Sequence, residues 1–199
     1  MTARERILGR IGRALEGHTP VPRPEHVRRA APAGDLVEAF CAALEAAGAG
    51  WEAVARRADL PAAVAAYRER AGLAGGVTVA PVLRELDWPA QLAVEFGTTD
   101  GGAELAVSEA AAGIAETGTL VLPSAPGTPT LLNFLPDHQL VALARARVVD
   151  TLEAGWAVLG PAPPRVVNFV TGPSRTADVE QTIQIGAHGP RSLYIVLID

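Results

Sequence analysis

The chain has 199 residues, of which 49% are hydrophobic, 20% charged and 5% aromatic, and its formal net charge is −5. This length is typical of one domain and is sufficient to enclose a hydrophobic core. All 17 basic residues are arginines, which excludes a lysine Schiff base and the lysine of the usual phosphate-binding loop. The net acidic charge argues against a nucleic-acid partner.

The chain contains one cysteine, Cys41, so it forms no internal disulfide and holds no cysteine-ligated iron–sulfur cluster by itself. No apolar run is long enough to span a bilayer. Residues 1–17 show a helical pattern instead of the continuous apolar pattern that a secretory signal needs. We therefore expect a cytoplasmic protein without a membrane span.

Residues 1–33 predict an N-terminal helix followed by a linker. Thr2 and Glu5 have the spacing of a capping box, in which each side chain accepts a hydrogen bond from a backbone N–H at the helix start. Apolar residues then recur at helical spacing, and four prolines between residues 18 and 33 indicate an extended segment. We expect this helical extension to dock on the main domain or on another subunit.

Residues 34–199 predict one α/β domain. Periodicity and capping residues predict helices over 35–47, 59–71, 148–158 and 177–185. Short apolar runs predict strands at 51–54, 76–80, 105–108, 119–122, 140–144, 166–170 and 193–198, while residues 83–102 show no clear pattern. Strands that alternate with helices form a mostly parallel sheet covered on both faces.

The first candidate site is Glu116-Thr117-Gly118-Thr119, directly before a predicted strand. Glu116 could act as a base or as a covalent nucleophile, and the two threonines could bind a ligand that approaches closely at Gly118. The alternative is a tight turn in which the carboxylate accepts backbone N–H groups and the threonines end a strand.

Two histidines are further candidates. His138, preceded by Asp137, comes just before the strand predicted at 140–144, and could serve as a general base or donate to an anion. His188 lies in a glycine-rich loop, where it could reach a ligand. Either histidine could instead satisfy backbone groups at a turn. The spacing of His138, His188 and Asp137 matches no known metal site, and we predict none.

The third candidate site joins the strand predicted at 166–170 to the helix predicted at 177–185. In an open α/β sheet, ligands bind beyond the carboxyl ends of strands, where helix N-termini present unpaired N–H groups. Arg175 suits a carboxylate or phosphate because its guanidinium donates in a bidentate manner. The alternative is an ordinary capped helix start in which Arg175 pairs with Asp178 or Glu180. The candidate ligand-binding residues here are Thr171, Gly172, Ser174, Arg175 and Thr176.

Three blocks of the sequence resemble the signature blocks of the LUD-domain family, and within it those of the LutC/YkgG family of lactate utilization proteins. The blocks are GIAETGTLVL (113–122), LPDHQLVAL (135–143) and TGPSRTADVEQTIQIGAHGP (171–190). The resemblance is strong over residues 76–199. It implies a three-layer α/β sandwich of the NagB/RpiA/CoA-transferase-like group, whose members include sugar-phosphate isomerases and deaminases.

The resemblance also implies a subunit that acts with two iron–sulfur partner proteins in the oxidation of L-lactate to pyruvate. The clusters would then be held by the partners, and this chain would bind no cofactor. Ser174, Arg175 and Thr176 would hold a small carboxylate, another anion or an acidic group of a partner, with His138 or His188 as the acid or base.

Two other functions are open at this point. One is a stand-alone enzyme of the CoA-transferase or sugar-phosphate type that uses Glu116. The other is a purely structural or regulatory partner, in which Glu116, Arg175 and His188 do not converge in space.

Overall fold

The computed structural model describes residues 2–18, 32, 34–162, 164–177, 183–185 and 189–199. The chain divides into two units, Met1–Ala30 and Ala31–Asp199. In the first unit, helix α1 (Ala3–Leu15) begins at the predicted capping box, which is confirmed. The backbone N–H of Thr2 donates to Glu5 Oε2 at 2.7 Å, and the backbone N–H of Glu5 donates to Thr2 Oγ1 at 3.2 Å.

The described residues of the second unit form three α-helices and three β-sheets. The helices are α2 (Leu36–Ala46), α3 (Leu60–Arg70) and α4 (Leu152–Ala157). The strands are β1 (Gly50–Val54), β2 (Val77–Val79), β3 (Val94–Phe96), β4 (Leu105–Glu109), β5 (Ala112–Ile114), β6 (Thr119–Pro123), β7 (His138–Ala144), β8 (Val148–Val149), β9 (Val167–Thr171), β10 (Arg175–Ala177), β11 (Ile183–Ile185) and β12 (Ser192–Ile198).

A six-stranded sheet with the order β1-β12-β7-β4-β2-β3 forms the centre of the second unit, and every neighbouring pair in it is parallel. Side chains alternate between its faces. On one face, Leu140 and Val196 pack with α3 through Val64. On the other face, Val141 and Ile195 pack with α2. Burial of both faces explains why β7 and β12 are almost continuously apolar.

A smaller four-stranded sheet with the order β8-β5-β6-β9 lies on the α2 side of the central sheet. Leu120 and Leu122 of β6 join the core beneath α2. The opposite face of β6 presents Val121, which forms a separate cluster with Ile114. The layers are therefore α3, the central sheet, and α2 together with the small sheet. The α/β fold class with a mostly parallel sheet is confirmed.

The helix predicted over 177–185 is wrong at 177 and at 183–185, and residues 178–182 lie outside the described part of the chain. Residues Arg175–Ala177 and Ile183–Ile185 instead pair as antiparallel strands, with Thr176 opposite Gln184. The residues from 176 to 185 are rich in β-branched side chains, and Ile183-Gln184-Ile185 alternates with the two-residue period of a strand. The expected helix N-terminus after Ser174 is therefore absent from the described residues.

The helix predicted over 148–158 is also too long. Val148 and Val149 form β8, which pairs in parallel with Gly113 and Ile114. The helix begins only after Thr151, whose hydroxyl accepts a hydrogen bond from the backbone N–H of Ala154 at 3.3 Å. The two valines extend because they satisfy the open edge of β5, and helix α4 starts where a side chain can cap it.

Candidate functional site

A cavity of about 330 Å³ lies at the amino-terminal end of the central sheet, on its α2 face. The second residues of two neighbouring strands, Gln139 and Leu193, form one side of it. The turn that follows β9 forms the opposite side. The other described lining residues are Asn133, Phe134, Phe169, Val170, Thr171, Gly172, Pro173, Ser174, Arg175, Gly189 and Pro190.

This position corrects the expectation drawn from parallel sheets. The turn after Thr171 follows the small mixed sheet, in which β9 is antiparallel to β6. It therefore faces the amino-terminal end of the central sheet, not the carboxyl end at which open parallel sheets usually bind ligands. Four predicted ligand-binding residues line the cavity: Thr171, Gly172, Ser174 and Arg175.

The turn is held between two other segments. Gly172 has a φ of +69°, and a Cβ atom there would overlap the carbonyl of Ala47 at the end of α2. Arg175 donates a hydrogen bond from Nη2 to the carbonyl oxygen of Ala47 at 3.1 Å. The backbone N–H of Ser174 donates to the carbonyl oxygen of Pro190 at 2.8 Å. The wall of the cavity is thus fixed by the end of α2 and by the approach to β12.

A chain of three threonine hydroxyls connects this wall to the first candidate site. Thr119 Oγ1 lies 2.6 Å from Thr117 Oγ1 and 2.6 Å from Thr171 Oγ1. Gly118, between them, has a φ of +66°, and an added Cβ would lie 2.6 Å from the backbone of Ala43 in α2. Thr117, Gly118 and Thr119 therefore support the wall through Thr171.

The inner part of the cavity contains two buried amides. Gln139 is 1% exposed and Asn133 is 6% exposed. Gln139 Nε2 donates to Asn133 Oδ1 at 2.9 Å and lies 3.5 Å from Ser108 Oγ. Among the described residues, Gln139 Oε1 has no hydrogen-bond partner. Sequence reasoning missed both amides, although Gln139 is a polar residue in register with the buried Val141 and Leu143 and could have been noticed.

Glu116 is half-buried in the turn between β5 and β6. Its backbone N–H donates to the carbonyl oxygen of Asp150 at 3.0 Å. The described residues that line the cavity do not include Glu116. Its use as a base or nucleophile therefore stays a prediction.

His138 faces the opposite side of the central sheet from Gln139, because successive residues of a strand alternate. The hydroxyl of Tyr67 lies 2.8 Å from His138 Nδ1 and 2.8 Å from Ser192 Oγ. Burial lowers the pKa of His138 and raises the pKa of Tyr67. The cavity and His138 thus occupy different faces, and the role of His138 as its acid or base also stays a prediction. Tyr67 and Ser192 were not among the predicted site residues.

His188 and the side chain of Thr176 lie outside the described part of the chain. Within the described part, no group of three or more His, Cys, Asp or Glu side chains is arranged to hold a metal ion. Likewise, none of the described helices combines the length and apolarity needed to cross a membrane.

The chain is an α/β protein built on a central parallel sheet with flanking helices. The last turn of its small sheet closes a polar, ligand-sized cavity beside the core. Residues 84–198 match the model of the LUD domain, and the chain belongs to the LUD domain family.

Several relatives of this chain are named lactate utilization protein C. It is 36% identical over 93 residues to lactate utilization protein C of Geobacillus sp. (strain WCH70), an alignment that covers 43% of this chain and 39% of that protein. It is 33% identical over 130 residues to lactate utilization protein C of Geobacillus thermodenitrificans, covering 57% of this chain and 54% of that protein. The chain therefore matches about two fifths to one half of the length of these relatives.

Among solved structures, the chain resembles a DUF162 family protein from Deinococcus radiodurans, whose crystal structure was determined at 1.70 Å resolution. The TM-score is 0.63 at 21% identity, and the match covers 84% of this chain and 100% of that chain. This likeness supports the fold.

Proposed function

We propose that this chain acts in lactate utilization as a subunit that holds a small carboxylate in the cavity between Gln139 and Arg175. In this proposal it works with two iron–sulfur partner proteins, which oxidise L-lactate to pyruvate. The names of the relatives support the pathway. The observation that carries the proposed binding role is one small cavity lined by a guanidinium, hydroxyls and buried amides.

The polar groups of the wall suit a carboxylate. A guanidinium has five N–H donors in a planar fork, and the Arg175 bond to Ala47 uses one of them. The hydroxyl of Ser174 can donate one hydrogen bond to a ligand, and that of Thr171 can do so when Thr119 is the donor of the bond between the two threonines. The volume, about 330 Å³, is at the small end of the range of roughly 300–1,000 Å³ typical of ligand sites, which favours a compact acid over an extended cofactor ester.

The oxidation itself needs a group that accepts electrons. The described side chains around the cavity are amides, hydroxyls, a guanidinium and apolar groups, none of which takes up a hydride or an electron. The single cysteine, Cys41, is buried in α2, and its burial raises the pKa of the thiol. We therefore assign the electron transfer to the iron–sulfur clusters of the partners, with this chain presenting the acid.

Two measurements test the proposal. The chain is purified alone and titrated with L-lactate by calorimetry, and it is then combined with the two partner proteins for an assay of L-lactate oxidation. We expect binding by the chain alone, and loss of oxidation when the chain is omitted. Full activity of the partners without this chain would contradict the proposal.

Arg175→Gln supplies the matched variant. It removes the guanidinium from the cavity and should weaken lactate binding at least tenfold. Arg147→Gln makes the same change at an exposed position that does not line the cavity, and should leave binding unchanged. If Arg175→Gln loses association with a partner but keeps lactate affinity, the site binds an acidic group of that partner instead of the substrate.

A further inference from the structure

A second cavity, of about 890 Å³, lies over β2 and β3 on the same face of the central sheet as the cavity beside Gln139. Thr78 of β2 pairs with Glu95 of β3 and with Ala106 of β4, and Ala106 pairs with Gln139 of β7. Paired residues of neighbouring strands face the same side of a sheet. The side chains of Thr78 and Glu95 therefore point to the face that carries the first cavity, and both residues line the second one.

A short turn separates the two cavities. In the 3₁₀ turn Thr130–Asn133, Leu132 is fully buried and packs in one cluster with Ala106. Leu131 lines the second cavity, whereas Asn133 lines the first. The second cavity is therefore a site of its own, and its ligand does not depend on the carboxylate proposed for the first.

The second cavity is lined by negative charge without a compensating cation. Glu95 and Asp100 line it, and no arginine or histidine is among its described lining residues. Neither carboxylate forms an ion pair within the described part of the chain. Asp100 Oδ1 accepts a hydrogen bond from the backbone N–H of Gly102 at 3.2 Å. A cleft lined by charge of one sign attracts the opposite charge and repels its own, so this cavity favours a cation over an anion.

Thr78 supplies an unused acceptor beside these carboxylates. It is 8% exposed, and its hydroxyl has no hydrogen-bond partner within the described part of the protein. The oxygen is not one of the side-chain atoms that lack accessible surface, so a ligand can reach it. Val77 and Val79 pack towards α3, which directs the Thr78 side chain away from α3 and into the cavity that it lines. Because buried polar groups are nearly always hydrogen-bonded, a ligand is the group best placed to satisfy this hydroxyl.

We propose that the second cavity binds a small aliphatic diamine. One ammonium group lies between Glu95 and Thr78, whose backbones are neighbours in the sheet and about 5 Å apart. The other ammonium group pairs with Asp100. An ammonium group has three N–H donors and no acceptor, which matches carboxylate and hydroxyl oxygens. The volume lies within the range of roughly 300–1,000 Å³ typical of small-molecule sites.

The test is a calorimetric titration of the purified chain with 1,4-diaminobutane, butylamine and butane-1,4-diol, which share a four-carbon chain and differ in charge. We expect the diamine to bind at least tenfold more tightly than the diol, with butylamine between them. Glu95→Gln should weaken binding of the diamine at least fivefold. Glu153→Gln makes the same change at an exposed position outside the cavity and should leave binding unchanged. Equal affinities for the diamine and the diol, or an unchanged affinity in Glu95→Gln, would overturn the proposal.

Thr78→Val separates ligand binding from a structural role, because it removes the hydroxyl and nearly keeps the shape of the side chain. Since the hydroxyl has no partner in the described structure, the denaturation midpoint should not fall, while the affinity for 1,4-diaminobutane should decrease severalfold. A lower midpoint with unchanged diamine affinity would overturn the role of Thr78. Displacement of the diamine by a lower concentration of calcium chloride would assign the carboxylates to an inorganic cation and overturn the diamine. These titrations contain no carboxylate ligand, so their failure is distinct from a failure of L-lactate binding.

Discussion

Arg175 donates a hydrogen bond from Nη2 to the carbonyl oxygen of Ala47, 3.1 Å away at the C-terminal end of α2. The last carbonyls of a helix have no partner within the helix, and a cation there also interacts favourably with the helix dipole. Arg175 also lines the cavity. The position of the proposed carboxylate-binding group is therefore set by where α2 ends.

A substitution at Gly48, which does not line the cavity, tests this coupling. Gly48 has a φ of +86°, and a Cβ atom there would overlap Arg175 Nη2. We expect Gly48→Ala to displace the guanidinium and to weaken L-lactate binding several-fold, measured by calorimetry. Gly72 is the matched control, because it follows α3 with a φ of +68° and has no atom within 4 Å of an added Cβ.

Both alanines carry the cost of a left-handed conformation, roughly 1–2 kcal/mol of unfolding free energy. Gly72→Ala should therefore be destabilised without any change in lactate affinity. Equal affinities in the two variants would show that the bond between Arg175 and Ala47 does not position the guanidinium for the ligand.

Gly118 tests the contact between the threonine turn and α2. Its added Cβ would lie 2.6 Å from backbone atoms of Ala43 and Leu44, which cannot move without shifting the helix. We expect Gly118→Ala to lose about 1–3 kcal/mol more unfolding free energy than Gly160→Ala, as is usual for overpacking. Gly160 has a similar φ of +71° and open space around it. Chemical denaturation of both variants measures the difference, and equal losses would refute the contact.

The chain of threonine hydroxyls predicts that loss of the central hydroxyl, at Thr119, destabilises the fold more than loss of the end hydroxyl, at Thr117. Thr119 is 4% exposed and its hydroxyl lies 2.6 Å from two others, so Thr119→Val should lower the unfolding free energy by about 1–2 kcal/mol. Thr117 is exposed, and Thr119 Oγ1 keeps its other partner when Thr117 is replaced. Thr117→Val should therefore cost at most about 0.5 kcal/mol. Denaturant midpoints distinguish the two, and a larger effect at Thr117 would contradict the geometry.

His138 predicts a loss of stability on acidification. Burial lowers the pKa of His138 in the folded chain, so between that lower value and the ordinary value of 6.5 the unfolded chain binds more protons. The contribution of His138 to the unfolding free energy is therefore complete above about pH 6.5 and is lost as the pH falls below that value. For one histidine the slope is at most about 1.4 kcal/mol per pH unit.

Replacement of the imidazole by a group that does not titrate removes this contribution. His138→Gln should show a shallower dependence of the denaturation midpoint on pH between 7.5 and 5.5. Tyr67→Phe keeps the imidazole and removes only the hydroxyl beside Nδ1, so the denaturation midpoint of this variant should still depend on pH. Parallel pH profiles for the wild-type chain and His138→Gln would contradict the prediction.

Much of the fold could be predicted from local patterns. The capping box before α1, the helical spacing in α2 and α3, and the apolar runs of β4, β7 and β12 all act within a few residues. The small sheet was missed because β5 and β8 are only three and two residues long and gain stability from neighbours far away in the chain. The strands β10 and β11, of three residues each, are also too short to give a clear two-residue pattern, and they fall in the segment predicted as a helix.

The candidate site was predicted in part. Turn residues such as Ser174 and Arg175 were found because glycine, hydroxyl and guanidinium groups concentrated in one short segment suggest a ligand contact. Asn133 was not found because it lies in a short turn with no distinctive local pattern, and Gln139 was not found although it is a polar residue in register with the buried Val141 and Leu143. Its significance depends on which face of the sheet it occupies and on what lies opposite.

The amino-acid sequence alone excluded lysine chemistry and an internal disulfide, and it specified the helices whose caps and apolar spacing are local. Only the tertiary structure decided that the turn after β9 lies against the end of α2 and above the start of β7. Arg175 and Ala47 are 128 positions apart. Contacts over such separations arise from packing of both faces of one parallel sheet, and no short-range preference of the chain encodes them.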